Sequence, residues 1–356
     1  MSTSLTDFER FLLEAIIGVS LALAAASILM VGVLAIRRAA RDRLRCAQAD
    51  RNEELTQALN IVLFQKIENA SDILPRLKKE DASPLVDALL MLLRNLSGPV
   101  LKKLTQIIES WGAEDIACAQ ALSARRGGRI EAIAVLSYLS SEKSLAVISR
   151  NLESRDSYIQ LAAMRAAARR NATHLIPGII ERLKRSDDQN GRLLAGILYR
   201  FGAEISPFLS ELAMSAESAT VRAAALTALT YVSAPTVSVD LEACMKSPDV
   251  NIRATAVTLA GATHMESDAP FLSAVSDQSA LVRARAASAI RTAEKRTLMD
   301  KLVELYSDPV WWVRYRACQA LLGLGAEGKA ILRSLSRIGG AESVLATEVL
   351  AEAERP

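Results

Sequence analysis

Two histidines, His174 and His264, and four cysteines, Cys46, Cys118, Cys244 and Cys318, supply all the imidazole and thiol chemistry in this chain of 356 residues. A zinc or redox centre needs such ligands in close pairs, and no CxxC occurs. A Ser/His/Asp triad or a His-rich site has equally little material. The run Arg125–Arg129, RRGGR, carries glycine beside cations and so invites a phosphate reading, but it reads more simply as a glycine turn between helices. There is no Gly-rich phosphate loop, no HExxH, no nucleophile elbow, and no pair of carboxylates at the positions expected to face a groove. The expectation is a protein that is not an enzyme and needs no metal, cofactor or small-molecule substrate.

The chemistry that recurs is that of arginine. "SATVRAAALTALTYV", "SPDVNIRATAVTLAGA", "SALVRARAASAIRTA" and "DPVWWVRYRACQALLGLG" each place an apolar residue, then Arg222, Arg253, Arg283 or Arg314, then an alanine three residues on. Extended backwards at about the same period, the register falls on Arg192, Gln160 and Arg129, making seven units whose alanines are Ala132, Ala163, Ala195, Ala225, Ala256, Ala286 and Ala317. A small residue at that spacing lets helix backbones approach one another. Between these segments lie shorter apolar stretches, three of them opened by Pro177, Pro207 and Pro270, where a missing amide costs a helix little. Outside "PTVSVD" no period-2 run survives, so strand content should be near zero.

The period, the helix pairs and the D-x-x-x-x-V-R-x-x-A style of helix start resemble HEAT repeats. The resemblance covers residues 113–356 well and 71–112 weakly, where helical pairing is present without the arginine ladder. It implies an all-α, right-handed α-solenoid with the arginine-bearing helices on the concave face. It also implies that Asp156, Asp249, Asp308, Arg253, Arg283 and Arg314 bond within and between repeats, with Gln160, Ser218 and Ser279 as departures that soften their interfaces.

Charge is unevenly spread: residues 101–200, 201–282 and 283–340 carry net +6, −6 and +6 within a chain of formal charge +3. A polyanion favours one continuous basic track, so nucleic acid is disfavoured and protein partners with complementary patches are expected. Two positions beyond each ladder residue the chain reads Glu131, Ala162, Leu194, Ala224, Thr255, Arg285 and Arg316; five beyond, Ala134, Arg165, Ile197, Thr227, Thr258, Ser288 and Gln319. These columns predict a groove, small and mildly apolar in its middle, with arginines at its ends to meet the carboxylates of a bound segment. Of the adjacent tryptophans, Trp312 suits packing between repeats, whereas Trp311 suits an exposed anchor for a partner. The protein-binding candidates are therefore Arg165, Arg285, Trp311 and Arg316.

At the other end, residues 15–36, AIIGVSLALAAASILMVGVLAI, contain no charge and at about 1.5 Å per residue would extend roughly 33 Å as a helix, enough for a hydrocarbon core. The acidic residues before it, Asp7, Glu9 and Glu14, do not suit a cleavable signal peptide. Arg37, Arg38, Arg41, Arg43 and Arg45 follow, placing residues 1–14 outside and the remainder in the cytoplasm, as in a single-pass protein of a bacterial inner membrane. The same arginines are candidates for anionic lipid headgroups. Gly18, Ala22 and Ala26 form a small-residue row suited to packing on another membrane helix. Residues 37–70, free of Gly and Pro, should form a basic helical stalk that docks onto the repeats. The expected function is a membrane-anchored scaffold or adaptor with protein partners that include a membrane protein, as in a polysaccharide synthesis or secretion complex. The alternatives are a regulator that recruits a soluble protein to the membrane and, third, a HEAT-like enzyme acting as a lyase or on nucleic acid.

Overall fold

The computed structural model of the chain describes residues 7–65, 73–184, 191–232, 238–338 and 341–354, with the side chains of 7–15, 17–19, 21–22, 24–26, 41, 44, 341–342 and 354 left aside. Among the described residues there are helices and turns and no strand; Pro235, Thr236 and Val237 of "PTVSVD" lie outside them. The chain forms two compact units, Met1–Val135 and Leu136–Pro356.

The first unit begins with α1, Asp7–Phe64, a single helix of 58 residues and about 87 Å at 1.5 Å per residue. From Ser27 to Asp50 every described side chain is exposed, including the apolar Ile28, Leu29, Met30, Val31 and Ile36. From Arg51 onward the same helix is part of a core: Leu55 and Leu59 are fully buried, with Val62 and Leu63 beside them. Polar contacts fix this junction. Arg51 grips Asp81 through Nε and Nη2, both at 3.0 Å, and the Asn52 amide donates to the Pro84 carbonyl at 3.0 Å. Lys103 Nζ donates to the Val62 and Leu63 carbonyls at 2.6 and 3.1 Å, supplying a cation where the end of α1 leaves acceptors unpaired.

Counted over the described residues, no helix is long and apolar enough to cross a membrane, so the structure does not show the span expected at 15–36. Gly18, Ala22 and Ala26 are helical in backbone, but their side chains are outside the description. The unit continues with α2 (Ala82–Asn95), α3 (Gly98–Trp111), α4 (Ala113–Ser123) and α5 (Arg126–Leu136), which ends one residue past the boundary.

The second unit is a stack of helix pairs: α6 (Glu142–Leu152) with α7 (Ser157–Arg169), α8 (Ile176–Lys184) with α9 (Gly191–Leu198), and α10 (Ser206–Ser215) with α11 (Ala219–Tyr231). It continues through α12 (Leu241–Met245) with α13 (Val250–Ala262), α14 (Ala269–Val275) with α15 (Ala280–Thr292), α16 (Met299–Tyr306) with α17 (Trp311–Gly323), and α18 (Ala326–Arg337) with α19 (Ala341–Glu354). Pro177, Pro207 and Pro270 each fall in the first turn of a first helix. The alanine column is buried in every repeat, with Ala163, Ala225, Ala256, Ala286 and Ala317 fully so. The backbones of α13 and α15 approach closely at Gly261, where an added Cβ would lie 2.7 Å from the Ala289 Cα.

The second helices end in a repeated way that the sequence does not advertise. Asn171, His264, Glu294 and Gly325, each eleven residues beyond its ladder position, take left-handed backbone at φ 51°, 49°, 53° and 94°. At the first three, the amide that follows donates back five residues at 3.0 Å, to Ala167, Ala260 and Ile290, closing the helix end as a Schellman turn does. His264 therefore terminates a helix.

Candidate functional site

Six of the seven ladder positions, Arg192 aside, reach back to the end of the first helix of their own pair or to the turn that follows it. Arg129 Nε donates to the Ala121 carbonyl at 3.1 Å, Gln160 Nε2 to Leu152 at 3.3 Å and Arg222 Nε to Ala213 at 3.0 Å. The later three use Nη1: Arg253 to Ser247 at 2.9 Å, Arg283 to Asp277 at 2.9 Å and Arg314 to Asp308 at 2.7 Å. Helix ends leave carbonyls without partners, and a cation placed there satisfies them and meets the negative end of the helix dipole. Gln160 keeps the hydrogen bond and forgoes the charge.

Two of these arginines also reach the next repeat. Arg253 holds Asp277 through Nε to Oδ2 at 2.8 Å and Nη2 to Oδ1 at 3.0 Å, and Arg283 holds Asp308 at 2.6 and 3.0 Å. Burial alone would push the Asp277 and Asp308 carboxyls up. The hydrogen bond from the arginine, that from Ser279 or Val310 N–H, and the guanidinium charges outweigh it and hold both below the ordinary aspartate range. The acids divide the expected bonding within and between repeats: Asp308 bridges, whereas Asp249 and Asp156 cap their own helices, accepting from Asn251 and Ile252 N–H and from Tyr158 N–H. The acid that bridges repeats stands two residues earlier, six before the ladder arginine. Ser279 is no gap in the pattern, because Asp277 takes the role.

The predicted groove is interrupted. Leu194, Ile197 and Ala224 are buried to within 2% of full burial, so the middle of both columns belongs to the core. Arg165 on α7 and Arg285 on α15 are exposed, and neither makes a hydrogen bond or ion pair among the described residues. Trp311 is 56% exposed and stacks on Tyr315 with ring centroids 5.4 Å apart and planes 9° apart. Trp312, expected to pack between repeats, is 39% exposed.

Arg316 belongs to the same cluster as Trp311. Its Nη1 donates to Gln319 Oε1 at 2.9 Å, Gln319 Nε2 donates to the Tyr315 hydroxyl at 2.9 Å, and that hydroxyl donates to Glu352 of α19 at 3.3 Å. The structure thus brings Trp311 and Arg316 together through Tyr315 and Gln319. Arg165 stands repeats away on α7. Beside the cluster, α15, α17 and α19 enclose a cleft of about 270 Å³.

In the first unit a cleft of about 380 Å³ is lined by Asp87, Leu90, Met91, Arg94, Asn95 and Glu131. Burial, then the neighbouring Asp87 carboxylate, push Glu131 up, and Arg94 offsets part of this. Glu131 was expected to face the groove, and here it faces a second carboxylate. Among the described residues no three His, Cys, Asp or Glu side chains are placed to hold a metal. Cys118, Cys244 and Cys318 are buried, the last with its thiol pushed up to about 12 by burial, while Cys46 is exposed on α1. Of the arginines that follow residues 15–36, Arg37, Arg38, Arg43 and Arg45 are exposed, and the side chain of Arg41 lies outside the description.

Residues 206–290, from α10 to α15, match the family model for HEAT repeats. Among solved structures the chain is similar to importin beta crystallised in an ammonium sulfate condition, with 14% identity and a TM-score of 0.54 over 85% of this chain and 46% of that one. A complex of Kap95p with RanGDP gives 12% identity and a TM-score of 0.49 over 86% and 53%. The chain spans about half the length of these structures, and the likeness to importin beta is one of fold. No curated protein matches the sequence.

Proposed function

We propose that this chain is a membrane-anchored scaffold that binds protein partners through the surface of its C-terminal repeats. The observation that carries this reading is a division of labour among the arginines. Arg253 and Arg283 are consumed by bonds that hold repeats together, and Arg314 by bonds to the turn of its own helix pair. Arg285 and Arg316, two residues further on in equivalent positions of α15 and α17, remain exposed, and Arg316 adjoins the stack of Trp311 on Tyr315. Exposed aromatics next to guanidinium groups are the composition of interface hot spots.

The anchor in this reading is the uncharged run 15–36. It is supported by the exposed apolar side chains of α1 from Ile28 to Ile36, which water solvates poorly, and by the arginines that follow. The N-terminus faces out of a bacterial inner membrane and the repeats lie in the cytoplasm. Because α1 runs unbroken into the core at Leu55 and Leu59, one continuous helix links the anchor to the packed part of the first unit. A scaffold so tethered suits a larger membrane assembly, such as a polysaccharide synthase or a secretion machine, with at least one membrane protein among its partners.

The test is photocrosslinking in cells from a benzophenone amino acid placed at position 311 or 285 of the full chain, with position 242 on α12 as the control. A discrete partner crosslinked from 311 and 285 and absent from 242 supports the reading. Equal products from all three positions contradict it.

A further inference from the structure

Arg291 leaves α15 near its C-terminal end and lies across the next repeat, its Cγ and Cδ resting where a Cβ on Gly323 of α17 would have to be. Glycine at 323 is thus the opening through which this side chain crosses a neighbouring helix. The guanidinium it delivers is exposed and makes no hydrogen bond or ion pair among the described residues. It lines the 270 Å³ cleft with Gln319 and Leu322 of α17 and Val349 and Glu352 of α19. Glu352 Oε2 accepts from the Tyr315 hydroxyl, and Oε1 carries no bond among the described residues.

Three features define what would fill this space. At about 270 Å³ the cleft falls below the roughly 300–1,000 Å³ of pockets that hold drug-sized ligands, and it suits one or two side chains. Leu322 and Val349 give it an aliphatic wall. An uncompensated cation and an available anion both face into it, so an occupant of one sign would leave the other charge opposed or unpaired.

We infer that the α15–α17–α19 cleft seats an amphipathic helical segment of a partner protein, one aliphatic side chain in the cleft between an acidic residue that meets Arg291 and a basic residue that meets Glu352. This rests on the reading of the C-terminal repeats as a protein-docking surface. It adds a residue, Arg291, and a two-signed specificity to that surface. The helix is the natural carrier because residues three and four apart share one face, so a single turn on each side of the aliphatic anchor places both charges.

The test uses the full chain in detergent micelles and fluorescein-labelled alanine-rich helical peptides carrying Glu, Leu and Lys at positions i, i+4 and i+7. Companion peptides reverse the charges or replace both with Gln. Anisotropy should show saturable binding of one charge order, at least tenfold weaker with the Gln peptide and with Arg291→Gln. Gly323→Ala should weaken it similarly by displacing Arg291. The double variant Arg291→Glu with Glu352→Lys should invert the preference between charge orders, which a purely structural role of these residues would not do. Equal binding of the Gln peptide, no saturable binding of any peptide, or an unchanged order preference in the double variant would each overturn the inference. If native partners still crosslink at position 311 in that case, the broader docking surface stands and only this cleft is dismissed.

Discussion

Arg283 and Asp308 meet as a fork on a fork, Nε to Oδ2 and Nη2 to Oδ1, and the same guanidinium also holds the Asp277 carbonyl at the end of the preceding first helix. One side chain therefore ties a helix end to the turn of the next repeat. The Asp308 side chain is only 5% exposed and that of Arg283 15%, so solvent screens the pair weakly.

Asp308→Ala removes the carboxylate from a partly buried guanidinium together with the bond to Val310 N–H. Losing one partner of such a pair costs about 3 kcal/mol. Asp249→Ala loses a helix cap and no arginine partner, for about 1 kcal/mol. Urea denaturation of the two variants should show this difference, and equal losses would show that the inter-repeat fork contributes nothing beyond capping.

The pH dependence has a definite sign. Asp81, Asp268, Asp277 and Asp308 are held below the ordinary aspartate value. For Asp81 the leading cause is the hydrogen bond from Arg51, and for Asp268 that from Lys295. At a pH just below about 4 the unfolded chain binds protons that the folded chain still excludes, so stability rises with pH through that range. The contribution is complete above about pH 4 and is lost as pH falls through the lower folded values. Thermal scans from pH 6 to pH 2.5 should show a steep acid limb, shallower in Asp308→Asn.

Much of this architecture is legible in the sequence because stacking helices need small residues at a fixed phase, and an alanine every 30 to 32 residues is visible to inspection. The acids are harder to read. An aspartate four residues before the ladder arginine and one six before it look alike in an alignment, yet Asp249 caps a helix while Asp277 and Asp308 bridge repeats. Nor do Asn171, His264 and Glu294 resemble glycine, although each takes left-handed backbone. The cleft under Arg291 is hidden for another reason, since it depends on a side chain that crosses to the neighbouring helix over a glycine in a different repeat.

Left-handed backbone costs an ordinary residue about 1 kcal/mol, which glycine avoids, though glycine gives back part of this through its freer unfolded chain. Glu294→Gly, at an exposed position, should therefore be neutral to stabilising by up to about 1 kcal/mol. A loss of stability in urea would mean that the Glu294 side chain contributes contacts of its own.

The interior of the stack should tolerate no such freedom. Gly261→Ala would drive a methyl to within 2.7 Å of the Ala289 Cα, and overpacking against backbone costs about 1–3 kcal/mol. Ala286→Asp buries a charge at a fully buried position and should cost more, several kcal/mol. Circular dichroism melting of both should rank them in that order. A melt of Ala286→Asp like that of the parent would place the stacking register elsewhere.

The central claim is that the ladder arginines serve the fold, within their own helix pairs and at Arg253 and Arg283 between repeats, while Arg285, Arg316 and the Trp311–Tyr315 stack bind a protein. The most direct measurement is recovery of co-purifying partners by the full chain carrying Arg285→Glu with Arg316→Glu, alongside its helix content and melting temperature. The account predicts partner recovery reduced at least tenfold with folding unchanged, because exposed charges contribute little to stability. Undiminished recovery from a normally folded variant would contradict it.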